Sequence, residues 1–229
     1  MNQTPHTHQP IRLRRNGRLN RRAVLRGGVA LAGLALFGRA GVVAAATRAH
    51  PVGPSAYAAM LNERFPIPAV DLTQIDPMFF RHLVDHDTGE RPGTIVVSTR
   101  HRVLYLSLGD GLSLRYGIGI GRAGFAWSGR AVVAWKREWP TWTPPAEMIE
   151  REPELERWRQ GMPPGLENPL GARALYIFQD GADTLYRLHG TSEAWTIGKA
   201  VSSGCVRLLN QDVIDLYGRV PTPAPILVV

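Results

Sequence analysis

From Gly93 onward the chain breaks into short apolar runs separated by turn-forming residues, and this texture restricts the fold more than any other feature of the sequence. Residues 94–99 (TIVVST) and 102–108 (RVLYLSL) are rich in β-branched and large apolar side chains, and residues 112–120 (LSLRYGIGI) follow the turn Gly109-Asp110-Gly111. Residues 131–139 (AVVAWKREW) form a further strand candidate before the Pro- and Trp-rich loop at 140–145. Residues 174–178 (ALYIF) and 184–190 (TLYRLHG) read as a hairpin around QDGAD, and 226–229 (ILVV) as a terminal strand. Only two stretches in this region carry helical character. Residues 146–159 are densely charged and interrupted by Pro153. Residues 209–220 place Val213, Leu216, Tyr217 and Val220 on one face, with Asn210 as expected N-cap and Gly218 near the end. Many short strands with a few short helices predict a mostly-β, sandwich- or barrel-like domain rather than an alternating βαβ sheet.

Charge is distributed unevenly. The 229 residues hold 27 Lys and Arg against 19 Asp and Glu, but residues 1–46 contain eight arginines and no acid, leaving residues 47–229 formally neutral. A nucleic-acid-binding domain needs a basic face in its folded part, so that class is not expected. Asn20-Arg21-Arg22-Ala23-Val24-Leu25-Arg26 precedes the apolar run GGVALAGLALFG and the small residues VVAAA. This order predicts an export signal over residues 1–46, of twin-arginine type, cleaved near Ala46, with no stable membrane span after its removal. A periplasmic or cell-envelope location follows. Residues 47–92 are expected to be a lead-in to a domain at 93–229, with short helices in SAYAAMLNERF (55–65) and in DPMFFRHLVDH (76–86), the latter capped by Asp76 with Pro77 at its first position.

Two apparent motifs fail on context. Gly119-Ile120-Gly121-Arg122-Ala123-Gly124 matches the dinucleotide fingerprint GxGxxG, but a β-like run follows where that fingerprint needs a helix. These glycines are better explained by a strand end and turn, where positive φ or close backbone approach is required. His82 and His86 would share a face if their segment were helical, yet no third ligand follows at metal-site spacing. No metal or other cofactor is expected.

Cys205 is the sole cysteine, so it cannot form an internal disulfide. His189 precedes it by sixteen residues, Gly190 and Gly204 flank the two, and Arg207 lies two residues beyond. A thiol becomes a nucleophile as its thiolate, which needs a base or a positive neighbour. His189 and Arg207 are therefore expected to hold the Cys205 pKa below that of a free cysteine. Backbone N–H groups across Ser203-Gly204-Cys205 are candidates for an oxyanion hole. From the residues alone two accounts stand level: a catalytic Cys–His pair, or a buried cysteine beside a structural histidine. The order His then Cys disfavours a papain-like arrangement, in which the cysteine comes first.

His189-Gly190-Thr191 followed by SSGCVRLLNQDVIDLY (202–217) resembles the L,D-transpeptidase catalytic domain, or YkuD domain, and the similarity extends upstream through PGTIVVST, YGIGIGRAGFAWSG and EWPTWTPPAEMI. The resemblance implies a β-rich fold with the cysteine in a cleft. It implies that Cys205 attacks the carbonyl after the third residue of a peptidoglycan tetrapeptide stem and expels D-alanine, that His189 moves the protons, and that the Gly190 carbonyl orients the imidazole. The acceptor would be the amine of another stem or of an envelope protein. Ser203 stands where many members have histidine. An L,D-carboxypeptidase using the same residues, and a non-catalytic peptidoglycan-binding module, are the alternatives.

Overall fold

The computed structural model describes residues 53–121, 128–202 and 204–229. The expected export signal lies outside these residues, and none of the described helices is long and apolar enough to cross a membrane. The described strands are β1 (His82–Asp85), β2 (Ile95–Ser98), β3 (Val103–Gly109), β4 (Leu112–Gly117), β5 (Ile120–Gly121), β6 (Gly129–Glu138), β7 (Arg173–Gln179), β8 (Ala182–Thr191), β9 (Ala200–Ser202), β10 (Val206–Leu209) and β11 (Ala224–Val228). Two helices, α1 (Ala146–Arg151) and α2 (Asn210–Arg219), and several single 3-10 turns join them. Nine strands form one mixed sheet in the order β1-β4-β3-β2-β11-β6-β7-β8-β10, and β5 pairs with β9 in parallel. The mostly-β class with few short helices is as expected.

Local chemistry explains the hairpins. Asp180 and Gly181 both adopt positive φ (50° and 81°), the geometry that a two-residue turn needs to match strand twist. Gly109, Asp110 and Gly111 do the same between β3 and β4. β11, last in the chain, enters the middle of the sheet, parallel to β2 through Ile226 and Ile95 and antiparallel to β6 through Ile226 and Ala131. Inward side chains from β2, β3, β4, β6, β7, β8, β10 and β11 fill a single cluster with Val213 and Leu216 of α2 and Val220 just past its end. Strands near both ends of the sheet order, with Tyr116 from β4 and Leu208 from β10, share that cluster, so the sheet curls around α2. The Lys136 ammonium donates to the Tyr217 and Val220 carbonyls at 2.7 Å each, closing the C-terminal end of α2 where the helix dipole favours a cation.

The lead-in departs from its expected helices. Asp76 does cap its segment, its Oδ1 accepting from the Met78 N–H at 2.9 Å, but the helix is one 3-10 turn, Pro77–Phe79. The chain then extends into β1, antiparallel to β4. Four residues along an extended strand span about 13 Å, so His82 and His86 do not converge. His82 Nδ1 lies 2.7 Å from the Phe80 carbonyl, and His86 stacks on Tyr105. No cluster of metal-ligating side chains occurs among the described residues. The first expected helix is likewise a single turn, Pro54–Tyr57, because Tyr57 is drawn into a buried polar cluster.

That cluster fastens the lead-in to α2. The Tyr57 hydroxyl accepts from the Arg81 N–H at 2.6 Å and donates to Asp212 at 3.3 Å. The Arg81 guanidinium lies 3.0 Å from Asp215 and 3.7 Å from Asp212, and Asp215 also takes Tyr116 (2.7 Å) and Arg219 (2.8 Å). All of these side chains except Arg219 are almost entirely buried. Burial, reinforced by the Asp215 charge, pushes the Asp212 carboxyl up to about 7 despite Arg81 and Tyr57. Removing one partner from a buried charge cluster strands the others, so Arg81→Met should cost about 3–5 kcal/mol in urea unfolding. The folded state retains a proton on Asp212 that an unfolded chain releases near its ordinary 3.8, so this group's contribution to stability falls as pH rises from about 4 to about 7. Asp212→Asn should therefore gain stability relative to the parent across that window, measured as the difference between their urea midpoints at pH 4.5 and pH 7.5.

Candidate active site

The site is built on one strand pair. β10 runs parallel to β8 in the register Val206–Leu188, Arg207–His189 and Leu208–Gly190. Leu188, Val206 and Leu208 point into the core and are fully buried. Alternation then sends Arg187 and His189 of β8, with Cys205 and Arg207 of the neighbouring segment, to the opposite face. Residues eighteen apart in sequence become direct neighbours by this pairing, and Cys205 lies two positions before the partner of His189.

His189 is 4% exposed, and its Nδ1 lies 2.9 Å from the Gly190 carbonyl. A carbonyl only accepts, so Nδ1 carries the proton and Nε2 is left with its lone pair. Burial lowers the ring's pKa to about 4. The Arg207 charge adds to that depression, whereas the Gly190 and Pro169 carbonyls resist it. The imidazole is therefore a neutral base at physiological pH. A Cβ on Gly190 would strike Asn210 Oδ1, which accepts from the Ala172 N–H at 2.9 Å, while Asn210 Nδ2 donates to Ser192 Oγ at 3.2 Å. Asn210 is thus not the N-cap expected from sequence. It is the first residue of α2, and its amide braces the strand end behind His189.

Cys205 keeps partial exposure while its sulfur is densely surrounded. Sγ lies 4.0 Å from the Leu185 carbonyl. Burial pushes the thiol up, opposed by a backbone hydrogen bond at Arg187 and by the Arg187 and Arg207 charges. The expected depressed thiol pKa is therefore corrected: desolvation outweighs the positive neighbours, and a neutral histidine supplies no charge to help them. Gly204 adopts φ 149°, a region that favours glycine, and Gly121 packs against it so closely that a Cβ would lie 2.7 Å from Gly204 Cα. A Cβ on Gly119 would lie 2.7 Å from the Thr196 carbonyl. Of the two reasons expected for these glycines, close backbone approach holds, for Gly121 next to Cys205 and for Gly119 against Thr196, and neither takes positive φ. Ser203, and residues 122–124 of that fingerprint, lie outside the described residues.

Arg207 is tied to Glu193 at 2.8 Å, and its backbone pairs with Gly119 in both directions at 2.8 and 2.9 Å. Sequence analysis missed Arg187, Asp183 and Leu185. Between the pairs Phe178–Asp183 and Tyr176–Arg187, β8 advances four residues while β7 advances two, so β8 bulges outward. Within the bulge Leu185 takes φ 64°, and its N–H donates to Asp183 Oδ1 at 2.8 Å. The sole sequence signal for Arg187 is its position two residues before His189, on the same face.

Two outcomes follow. The His189 ring should titrate with a midpoint near pH 4 by NMR, so this residue's contribution to stability is lost as pH falls from about 6.5 to about 4. Gly121→Ala should displace Gly204, slowing iodoacetamide alkylation of Cys205 about tenfold at a stability cost of about 1–3 kcal/mol, read by mass spectrometry and urea unfolding.

Known proteins resemble this chain over its C-terminal part. The chain is 37% identical over 134 residues to the probable L,D-transpeptidase YbiS of Escherichia coli K12, covering 56% of this chain and 42% of that protein. It is 44% identical over 63 residues to the putative L,D-transpeptidase YkuD of Bacillus subtilis 168, covering 28% and 34% respectively. The chain therefore spans less than half the length of these curated relatives. A crystal structure from Brucella melitensis, described as a probable carnitine operon oxidoreductase, is 47% identical, with 66% of this chain and 94% of that one covered at a TM-score of 0.48. The family model of the YkuD L,D-transpeptidase catalytic domain matches residues 92–228, and the chain belongs to that family.

Proposed function

We propose that the protein is an exported cysteine L,D-transpeptidase that acts on tetrapeptide stems of peptidoglycan. The observation that carries this reading is the shared sheet face of Cys205 and His189, with the imidazole oriented through Nδ1 by the Gly190 carbonyl and its other nitrogen left to act as base. Export rests on the arginine-rich N-terminus and the apolar run behind it.

In the resting site both partners are neutral, a thiol whose pKa is raised and an imidazole whose pKa is depressed. Proton transfer from Sγ to His189 Nε2 accompanies attack of sulfur on the carbonyl that follows the third stem residue. The negative charge passes to the carbonyl oxygen, for which the Gly204 and Cys205 N–H groups are the candidate donors. Collapse breaks the C–N bond, and the imidazolium returns its proton to the departing D-alanine amine. A thioester remains. An incoming amine then loses a proton to His189, attacks the thioester carbonyl, and releases the thiol as the proton returns to sulfur. Arg207, two residues past the nucleophile, is a candidate contact for a substrate carboxylate, with Glu193 as the partner it exchanges.

Disaccharide-tetrapeptide incubated with the protein should give a cross-linked dimer with loss of one D-alanine, seen by mass spectrometry. Cys205→Ala should lower its yield by at least about 10³-fold. Tripeptide as the sole Cys205-dependent product would identify an L,D-carboxypeptidase instead. Retention on sacculi with no Cys205-dependent product would identify a binding module.

A further inference from the structure

We propose that Arg187 is the residue that stabilises negative charge developing on the Cys205 sulfur, and that Asp183 sets how much of the Arg187 charge the sulfur experiences. The proposal rests on the reading of Cys205 as nucleophile and adds to it a charged pair that neither sequence motif contains.

The geometry is a consequence of register. With Val206 beside Leu188 and Arg207 beside His189, the residue just before β10, Cys205, comes next to Arg187, the residue just before Leu188. The backbone of Arg187 hydrogen-bonds the sulfur, and Sγ lies against the carbonyl of Leu185 in the bulge of β8. The Arg187 side chain cannot swing freely. Its two terminal nitrogens fork onto the two Asp183 oxygens at 2.7 Å each, and Nη1 also donates to the Tyr186 carbonyl at 2.9 Å. The guanidinium lies 4.4 Å from the centre of the Tyr176 ring, and Tyr176 stacks at 4.5 Å on Trp135, which Arg137 covers on β6. This side chain is 14% exposed, so its charge is screened less than that of a surface arginine.

The two arginines near the sulfur differ in what they can do. Arg207 sits beside His189 in the strand register and bonds Glu193, whose side chain is half exposed. Its charge favours the thiolate but also disfavours the imidazolium that must form in the same step. Arg187 sits beside the cysteine instead. Among the described residues, the charges acting on the sulfur are Arg187 on β8 and Arg207 on β10, with Asp183 and Glu193 as their acids, while the phenols of Tyr176 on β7 and Tyr186 on β8 lie close by and His189 shares the face. Asp183 is the one acid forked directly onto Arg187, so it attenuates the arginine's charge. As the proton passes from Sγ to His189, the sulfur's electron pair is held in the field of Arg187, which exchanges no proton itself.

The test is the rate of iodoacetamide alkylation against pH for the full chain and three variants, with thermal midpoints as the check on folding. Arg187→Met should raise the alkylation midpoint by about one pH unit, which is about a tenfold slower reaction at pH 7.5. Arg187→Lys should restore most of the loss. Asp183→Asn should move the midpoint the other way, lower than the parent by about half a unit. An unshifted midpoint in Arg187→Met would overturn the proposal. So would a rise in Asp183→Asn, because a pair that merely supports the bulge would move both variants in one direction. If Arg187→Met does not fold, the sign of the Asp183→Asn shift decides. Opposed shifts without any D-alanine release would sink the transpeptidase reading and leave this one standing. D-alanine release with unshifted midpoints would do the reverse.

Discussion

Everything chemical in this protein depends on the parallel pairing of β8 with β10. Backbone hydrogen bonding fixes their register, and strand alternation then fixes which side chains share a face. Leu188, Val206 and Leu208 are buried in the core, and their burial holds the register, since a slip by one residue would turn leucines outward and bring His189 and Arg207 inward. The same apolar contacts that stabilise the domain therefore position His189 and the segment that carries Cys205. A parallel pair cannot be closed by a tight turn, and the connection between these strands includes the 3-10 turn Ala194–Thr196 and β9, which pairs with β5. That detour carries the chain past Gly119 and Gly121, whose lack of side chains lets the backbones of Thr196 and Gly204, respectively, approach.

The electrostatics of the site follow from burial more than from charge. Desolvation disfavours the charged form of each partner, so it raises the thiol and lowers the imidazole. Both groups are therefore neutral at rest. A protonated thiol is also a poor target for oxidation. Arg207 and Arg187 oppose the desolvation of the sulfur, each modulated by an acid, Glu193 and Asp183. The positive neighbours temper the cost of forming thiolate without making it the ground state.

The lead-in is joined to the body by buried polar contacts as well as apolar ones. Tyr57 and Arg81 reach Asp212 and Asp215 on α2, Gln211 donates to the Pro68 carbonyl at 3.0 Å, and Glu63 takes Arg173 and Trp139. α2 is the common partner of the first two. Its first residue, Asn210, holds the Ala172 N–H and Ser192, so the segments before β7 and after β8 meet the lead-in through one helix. The family model begins at residue 92, whereas β1 lies outside it and still completes the edge of the main sheet.

The sequence by itself determined the mostly-β class, the hairpins at Gly109–Gly111 and Asp180-Gly181, and the amphipathic face of α2. Each of these is local, carried by period-two alternation, by residues tolerant of positive φ, or by a short motif. Tertiary structure decided what local pattern leaves open. The segment after Asp76 has a helix start, but the edge of β4 offered a ladder of backbone partners and took residues 82–85 as a strand. Asn210 has the chemistry of a cap, but its amide was claimed by Ala172 and Ser192, 38 and 18 residues away. The direction of the thiol's pKa depended on how much water the packed strands exclude, which no count of nearby charges reports. Arg187 acquired its place beside Cys205 only through the β8–β10 register, because proximity across a sheet is set by hydrogen-bonded pairing and not by distance along the chain.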